Sequence, residues 1–192
     1  KEKVAHNKPV CFVSGNHDRW GSLFSTSEYF LQQVPGYLNR QEIEIQGQRI
    51  LGCTLWYKPS IHAMKTDWSD YQWITDWQNI RSEHDQDMRF LHDEMKEGDI
   101  IITHMLPGIE AVSPRYLGDP YNSFYVTELD NLIKERKPKL WCMGHSHDSL
   151  FKRAHSTLLA RNPLGYPREN MDFNLCIIDT DKIGTYEAID FI

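Results

Sequence analysis

Short apolar runs separated by turn-forming residues recur along the chain. They predict strands at Val10–Ser14, Ile43–Ile45, Ile50–Leu55, Ile100–Thr103, Leu140–Met143, Leu158–Ala160 and Phe173–Asp179, with a last one near Thr185–Ile189. Ser82–Lys96 and Tyr125–Arg136 instead suit amphipathic helices, and Thr26–Gln33 suits a shorter one. In Tyr125–Arg136, Val126, Leu129, Leu132 and Ile133 follow helical spacing. Lys137-Pro138 ends the pattern, because proline has no N–H to donate and clashes with the preceding turn. The order begins with strand and helix, passes through a strand pair, alternates helix and strand, and closes on consecutive strands. That order predicts an α/β layer structure with mixed sheets. Two long loops, Trp56–Asn79 and Met105–Asn122, stand out, since loops of that length in a compact domain tend to be functional. No repeat, low-complexity tract or linker divides the chain, so residues 1–192 read as one domain.

Composition narrows the classes of function. At 192 residues the chain can bury a substantial core, and 40% hydrophobic with 25% charged residues is ordinary for a globular protein. A formal net charge of −6 argues against duplex nucleic acid as a partner, which calls for a basic footprint. It leaves room for a phosphorylated small molecule or a phosphoprotein, because metal ions can supply local positive charge. Cys11, Cys53, Cys142 and Cys176 are widely spaced, form no Cys-x-x-Cys pair and sit among apolar or small neighbours. Buried free thiols in a reducing cytosol are favoured over disulfides or a zinc knot. The reduced thiols point to a cytoplasmic setting, and since no apolar run approaches the length of a membrane span, no membrane partner is expected.

Three apolar runs end in polar residues of one chemical kind. Pro9–Val13 leads into Ser14-Gly15-Asn16-His17-Asp18, Asp99–Ile102 into Thr103-His104, and Lys139–Met143 into Gly144-His145-Ser146-His147-Asp148. Each time a buried strand delivers ligand-type side chains at its C-terminal end, where α/β sheets commonly place their sites. Neutral imidazole is a common metal ligand, and an Asn carbonyl oxygen completes a mixed nitrogen and oxygen shell. One such histidine would read as a hydrogen-bonded strand-end residue; three segments together read as a site. Glycine ahead of the polar residues permits a tight turn and close backbone approach.

Gly-Asn-His-Asp, a later strand-end His, and Gly-His-x-His, in that order, resemble the second half of the calcineurin-like metallophosphoesterase signature. The resemblance runs from about Pro9 to Asp179. Thr54-Leu55-Trp56, Pro114-Arg115-Tyr116-x-Gly118-Asp119 and Asn162-Pro163-x-Gly165-Tyr166-Pro167-x-Glu169-Asn170 look like a bacterial and phage subgroup of phosphohydrolases. The resemblance implies a four-layer α/β/β/α sandwich with mixed sheets. It also implies two divalent metal ions (Mn, Fe or Zn) and hydrolysis of phosphate mono- or diesters by a metal-bound hydroxide at a dinuclear site. Asn16, His104 and His145 would bind one metal, and His147 would contribute to the other. His17 would face the substrate, stabilising phosphoryl oxygens or protonating the leaving group. Asp18 would either orient His17 or tie down the turn.

The family pattern opens with Asp-x-His on a first strand and Gly-Asp on a second, which supply a bridging carboxylate. Neither precedes Asn16 here, and Gly118-Asp119 follows His104 and reads as a turn. The chain is therefore expected to begin mid-domain, lacking its first strands. A second chain that completes the site, or a catalytically dead scaffold that binds partners, are the alternatives. His6, His62, His84, His92 and His155 match no motif and are expected at the surface. Trp68, Trp73 and Trp77 either cap the site or pack as a satellite core, with packing preferred. Arg115, Asn122 and Arg161 are phosphate contacts or structural polar residues.

Overall fold

A computed structural model describes residues 8–59, 68–184 and 188–192. Its central sheet has six strands: β1 (Gln41–Ile45), β2 (Gln48–Cys53), β3 (Ile100–Thr103), β4 (Leu140–Cys142), β5 (Leu150–Ala154) and β6 (Thr157–Arg161). They lie in the order β1-β2-β3-β4-β6-β5. The four inner strands run parallel, and the edge strands β1 and β5 pair antiparallel to their neighbours. The helices are α1 (Phe24–Leu31), α2 (Ser69–Trp73), α3 (Ile80–Glu94) and α4 (Asp130–Arg136), and β7 (Cys176–Ile178) and β8 (Ile189–Phe191) form a separate antiparallel pair.

Side chains alternate across a strand, so the inner strands feed two cores. Leu51, Cys53, Ile101, Trp141 and Leu159 pack with Ile80 and Leu91 of α3 and Leu132 and Ile133 of α4. Ile50, Ile100, Leu140, Leu158 and Ala160 pack on the opposite face with Ile183, Ala188, and the half-buried Ile178 and Ile189 of the strand pair. The α/β expectation thus appears as helices, mixed sheet and strand pair in three layers. A second helical layer is not formed among the described residues.

Several expected elements shift, and each shift has a hydrogen-bonding cause. Val10–Ser14 is not a strand: only Phe12 bridges, to Tyr37, with Phe12 N donating to Gly36 O and Leu38 N to Phe12 O. The expected helix Tyr125–Arg136 keeps only its second half. Thr127 N and Leu129 N donate to Leu106 O and Pro107 O, which takes that stretch out of the helix. β5 and α2 went unrecognised in the sequence, and Thr185–Glu187 of the last expected strand lie outside the described residues.

His84, expected at the surface, is buried. Ile80, His84, Asp87 and Leu91 form the inward stripe of α3, and the two polar members clamp the backbone just after β2. His84 Nδ1 lies 2.6 Å from Trp56 O, and Trp56 N donates to Asp87 Oδ2 at 3.0 Å. His92 and His155 are exposed, while His6 and His62 lie outside the described residues. All four cysteines are free thiols, Cys53 buried and the other three half-buried. No helix among the described residues is long and apolar enough to cross a membrane.

Candidate metal centre

The register of the parallel strands decides where the polar residues meet. Cys53 pairs with Thr103 and Ile102 with Cys142, so β2, β3 and β4 end side by side. Backbone bonds continue past the strands: His104 N and Met105 N both donate to Thr54 O, and Gly144 N donates to His104 O. The Ser14 segment is tied to the same edge by Thr54 Oγ1, which donates to Ser14 O at 3.0 Å. A short 3-10 turn over Asn16–Arg19 follows, held by Gly15 N donating to Asp18 Oδ2 at 2.7 Å.

Asn16, His104 and His145 converge there. His104 Nε2 lies 3.0 Å from Asn16 Oδ1 and 3.2 Å from His145 Nδ1. Glycine makes the approach possible, since a Cβ on Gly15 would stand 2.7 Å from His104 Cε1 and one on Gly144 3.2 Å from His104 Nδ1. His145 adopts a left-handed backbone (φ 62°), which a non-glycine residue holds at a cost of about 1–3 kcal/mol and which tends to mark functional sites.

Burial holds His104 at a pKa of about 4, with His17 and His147 adding repulsion against a second positive charge. His145 is held well below its usual value by burial first and by His104, His17 and His147 next. Both rings are therefore neutral, the form that binds metals. His145 Nε2 is buried without a well-formed hydrogen bond, although the Phe124 carbonyl is near enough to favour a proton there. Its Nδ1 faces His104 Nε2. Two imidazole nitrogens and an amide oxygen at these separations either share one proton or turn their lone pairs on a cation. The donor set fits a divalent transition metal. No group of three or more His, Cys, Asp or Glu side chains among the described residues is arranged to hold a metal. The converging donors are two imidazoles and an amide.

Around this floor opens a cavity of about 840 Å³, whose lining includes Asn16, His17, Asp18, His104, His145 and His147. The structure thus brings all six site residues read from the sequence to one place. His17 is exposed on one side, its ring 3.7 Å between centroids from Trp20, and partial desolvation on the covered side lowers its pKa against the opposing pull of Asp70. Asp18 binds the Gly15 N–H and so closes the turn. His147 Nδ1 lies 2.8 Å from Glu169 Oε2.

Two further groups of lining residues were not singled out as functional from sequence. Glu169 and Tyr166 come from the Asn162–Asn170 motif, which also gives Pro163 and Gly165 to the cavity lining. Tyr166 OH is 3.5 Å from His17 Nε2, its ring is 4.6 Å from that of His147, and Asn170 Nδ2 donates to Pro163 O and to His147 O. The motif itself was the available signal, although spacing alone did not tie it to His147. Asp70, from the first long loop, is fully buried and carried no signal at all.

Trp68 both packs, 4.3 Å from Phe124 and stacked on it, and lines the cavity; Trp77 packs on Tyr71, and Trp73 stays exposed. Arg161 is buried and donates to Ala111 O, Asp148 O and Asp148 Oδ2, so it shapes the Gly144–Asp148 loop. Arg115 lies over the Tyr116 ring, and Asn122 lines the cavity while donating to Tyr116 O.

A family model described as calcineurin-like phosphoesterase matches residues 1–149. The chain belongs to the calcineurin-like phosphoesterase family. Membership supports a hydrolase-type function on phosphate esters and the metal dependence typical of the fold. No curated protein matches the chain. One similar solved structure is 14% identical, with a TM-score of 0.43 over 73% of this chain and 51% of its own. A second, from Staphylococcus aureus, is named as a candidate 5′-nucleotidase in complex with alpha-ketoglutarate. It is 14% identical, with a TM-score of 0.36 over 80% of this chain and 32% of its own. This member of the family thus spans about half the length of the first structure and a third of the second.

Proposed function

We propose that this chain carries the site of a metal-dependent phosphohydrolase that cleaves phosphate mono- or diesters. The observation that supports it most is the meeting of Asn16 Oδ1, His104 Nε2 and His145 Nδ1 within 3.0–3.2 Å at the floor of the cavity. These three would hold one ion and His147 would contribute to a second, with Mn, Fe or Zn suited to such donors. When bound, divalent ions supply an activated water and neutralise charge on the phosphoryl group. His17, facing the cavity beside Trp20, would donate a proton to the leaving oxygen or a hydrogen bond to the phosphoryl oxygens. Asp18 would keep His17 in place by holding the turn rather than by touching its ring. Glu169 would fix the His147 ring through Nδ1, leaving Nε2 for a ligand. Phosphorylated small molecules or phosphoproteins remain the proposed substrates, and the free thiols suit a cytoplasmic setting.

The test is hydrolysis of bis(p-nitrophenyl) phosphate with metal quantified in the same samples. Hydrolysis should vanish on chelation, return with Mn²⁺, and be lost together with bound metal in His145→Ala. Turnover that survives both chelation and His145→Ala would sink the proposal.

A further inference from the structure

Asp70 is the least exposed charged residue in the cavity wall, and it accepts four hydrogen bonds. Oδ1 takes Asn16 Nδ2 at 2.8 Å and Trp20 Nε1 at 2.9 Å; Oδ2 takes Tyr57 OH and Trp68 Nε1, both at 3.2 Å. The carboxylate is used only as an acceptor, so it selects between the two ends of the Asn16 amide. An amide can turn over without changing shape, and its neighbours decide which end points where. With an acceptor on one side, the NH₂ must face Asp70 and Oδ1 must face His104. The reverse orientation would put Oδ1 against a carboxylate and aim N–H donors at the imidazoles.

The second bond to Oδ1 reaches the other half of the site. Trp20 Nε1 is held by Asp70 while the Trp20 ring supports His17 at 3.7 Å between centroids. One buried side chain therefore braces a residue of the floor directly and His17 through an aromatic ring. Its own position is fixed from the far side by Tyr57 and Trp68, neither of which contacts Asn16 through these bonds.

We infer that Asp70 is a positioning residue that turns the Asn16 carbonyl oxygen toward the metal site and steadies the Trp20–His17 stack. The inference rests on the metal reading of the site proposed above. Partners of this kind behind a metal ligand typically contribute about 10–100-fold in metal affinity. Core polar residues that only support the fold act through stability instead, which separates the two roles experimentally.

The experiment is calorimetric titration of Mn²⁺ into the wild-type chain, Asp70→Asn, Tyr57→Phe and the double swap N16D/D70N, with circular dichroism and thermal melts on each. Asp70→Asn should fold and bind Mn²⁺ about 10–100-fold more weakly, because its amide no longer dictates the Asn16 orientation. Tyr57→Phe removes a hydrogen bond to the same carboxylate but leaves the Asp70–Asn16 bond and Trp68 on Oδ2, so its Mn²⁺ affinity should fall less than that of Asp70→Asn. The swap restores a complementary donor and acceptor with an oxygen still facing His104, and should recover affinity relative to Asp70→Asn. Wild-type affinity in Asp70→Asn overturns the inference, as does an equal loss in Tyr57→Phe. If Asp70→Asn does not fold, the swap decides: recovered folding and Mn²⁺ binding support the clamp, and failure of both overturns it. A wild-type chain that binds no Mn²⁺ overturns the metal reading and the inference together, whereas the other negative results overturn only the role of Asp70.

Discussion

The floor of the cavity and its rim use the same residue type under opposite conditions. At the floor, His104 and His145 follow neighbouring parallel strands, share backbone bonds across the strand ends, and meet Asn16 against two glycines. At the rim, His17 and His147 sit on loops, reach solvent, and are bounded by Trp20, Tyr166 and Glu169. Burial makes the floor imidazoles poor bases and so leaves their lone pairs free at neutral pH. The rim trades that fixity for access. Rigid strand ends suit ligands whose separation must not vary, while loops suit groups that have to meet a substrate.

His17→Ala is the sharpest way to break this division. If rim and floor are separable, activity should fall by about 10²–10⁴-fold, mainly in kcat, with metal content and melting temperature nearly unchanged. The loss should shrink for aryl esters, whose leaving groups need little protonation. Loss of metal in His17→Ala to the extent seen in His145→Ala would erase the distinction. Gly15→Ala tests the floor from the other side. The added Cβ meets the His104 ring at 2.7 Å, so the variant should lose about 1–3 kcal/mol in a urea titration and bind metal more weakly. Unchanged stability and metal affinity would mean that the close glycine contact is dispensable.

The smallest expected effect uses His84, a buried histidine outside the cavity. Burial lowers its pKa, with the Trp56 carbonyl opposing in part. The folded chain resists protonating it while the unfolded chain takes up the proton near pH 6.5, so the unfolded state binds more protons in that window. The stability it contributes is present above about pH 6.5 and is lost as pH falls toward the folded-state value. His84→Asn keeps a donor for Trp56 O and does not titrate. Its unfolding free energy should therefore fall less steeply than that of wild type between neutral pH and pH 5. Parallel profiles would show that burial alone does not set the titration of these rings.

Much of the floor was legible in the sequence because it depends on strand ends. An apolar run followed by Gly-Asn-His, Thr-His or Gly-His-x-His states a ligand-type side chain at its end; parallel pairing then brings the last two ends together, while Thr54 ties the first to the same edge. Ile100–Thr103 matched residue for residue, and the family followed from the same motifs. Where periodicity failed, distant partners had taken the backbone. Tyr125–Leu129 has helical spacing yet hydrogen-bonds to Leu106 and Pro107, and Val10–Ser14 has a strand's composition but pairs only through Phe12. His84 looked like a surface residue because its partner, the Trp56 backbone, lies 28 positions away.

By itself, the sequence determined which apolar runs end in ligand-type side chains, and for His104 and His145 that strands carry them to one edge, since both follow from local composition and the two-residue period of a strand. Only the tertiary structure decided what surrounds them. Asp70 reaches Asn16 across 54 positions and Glu169 reaches His147 across 22, contacts that no local pattern encodes. The lowered pKa values likewise come from burial, which is a property of the packed molecule and not of any segment of it.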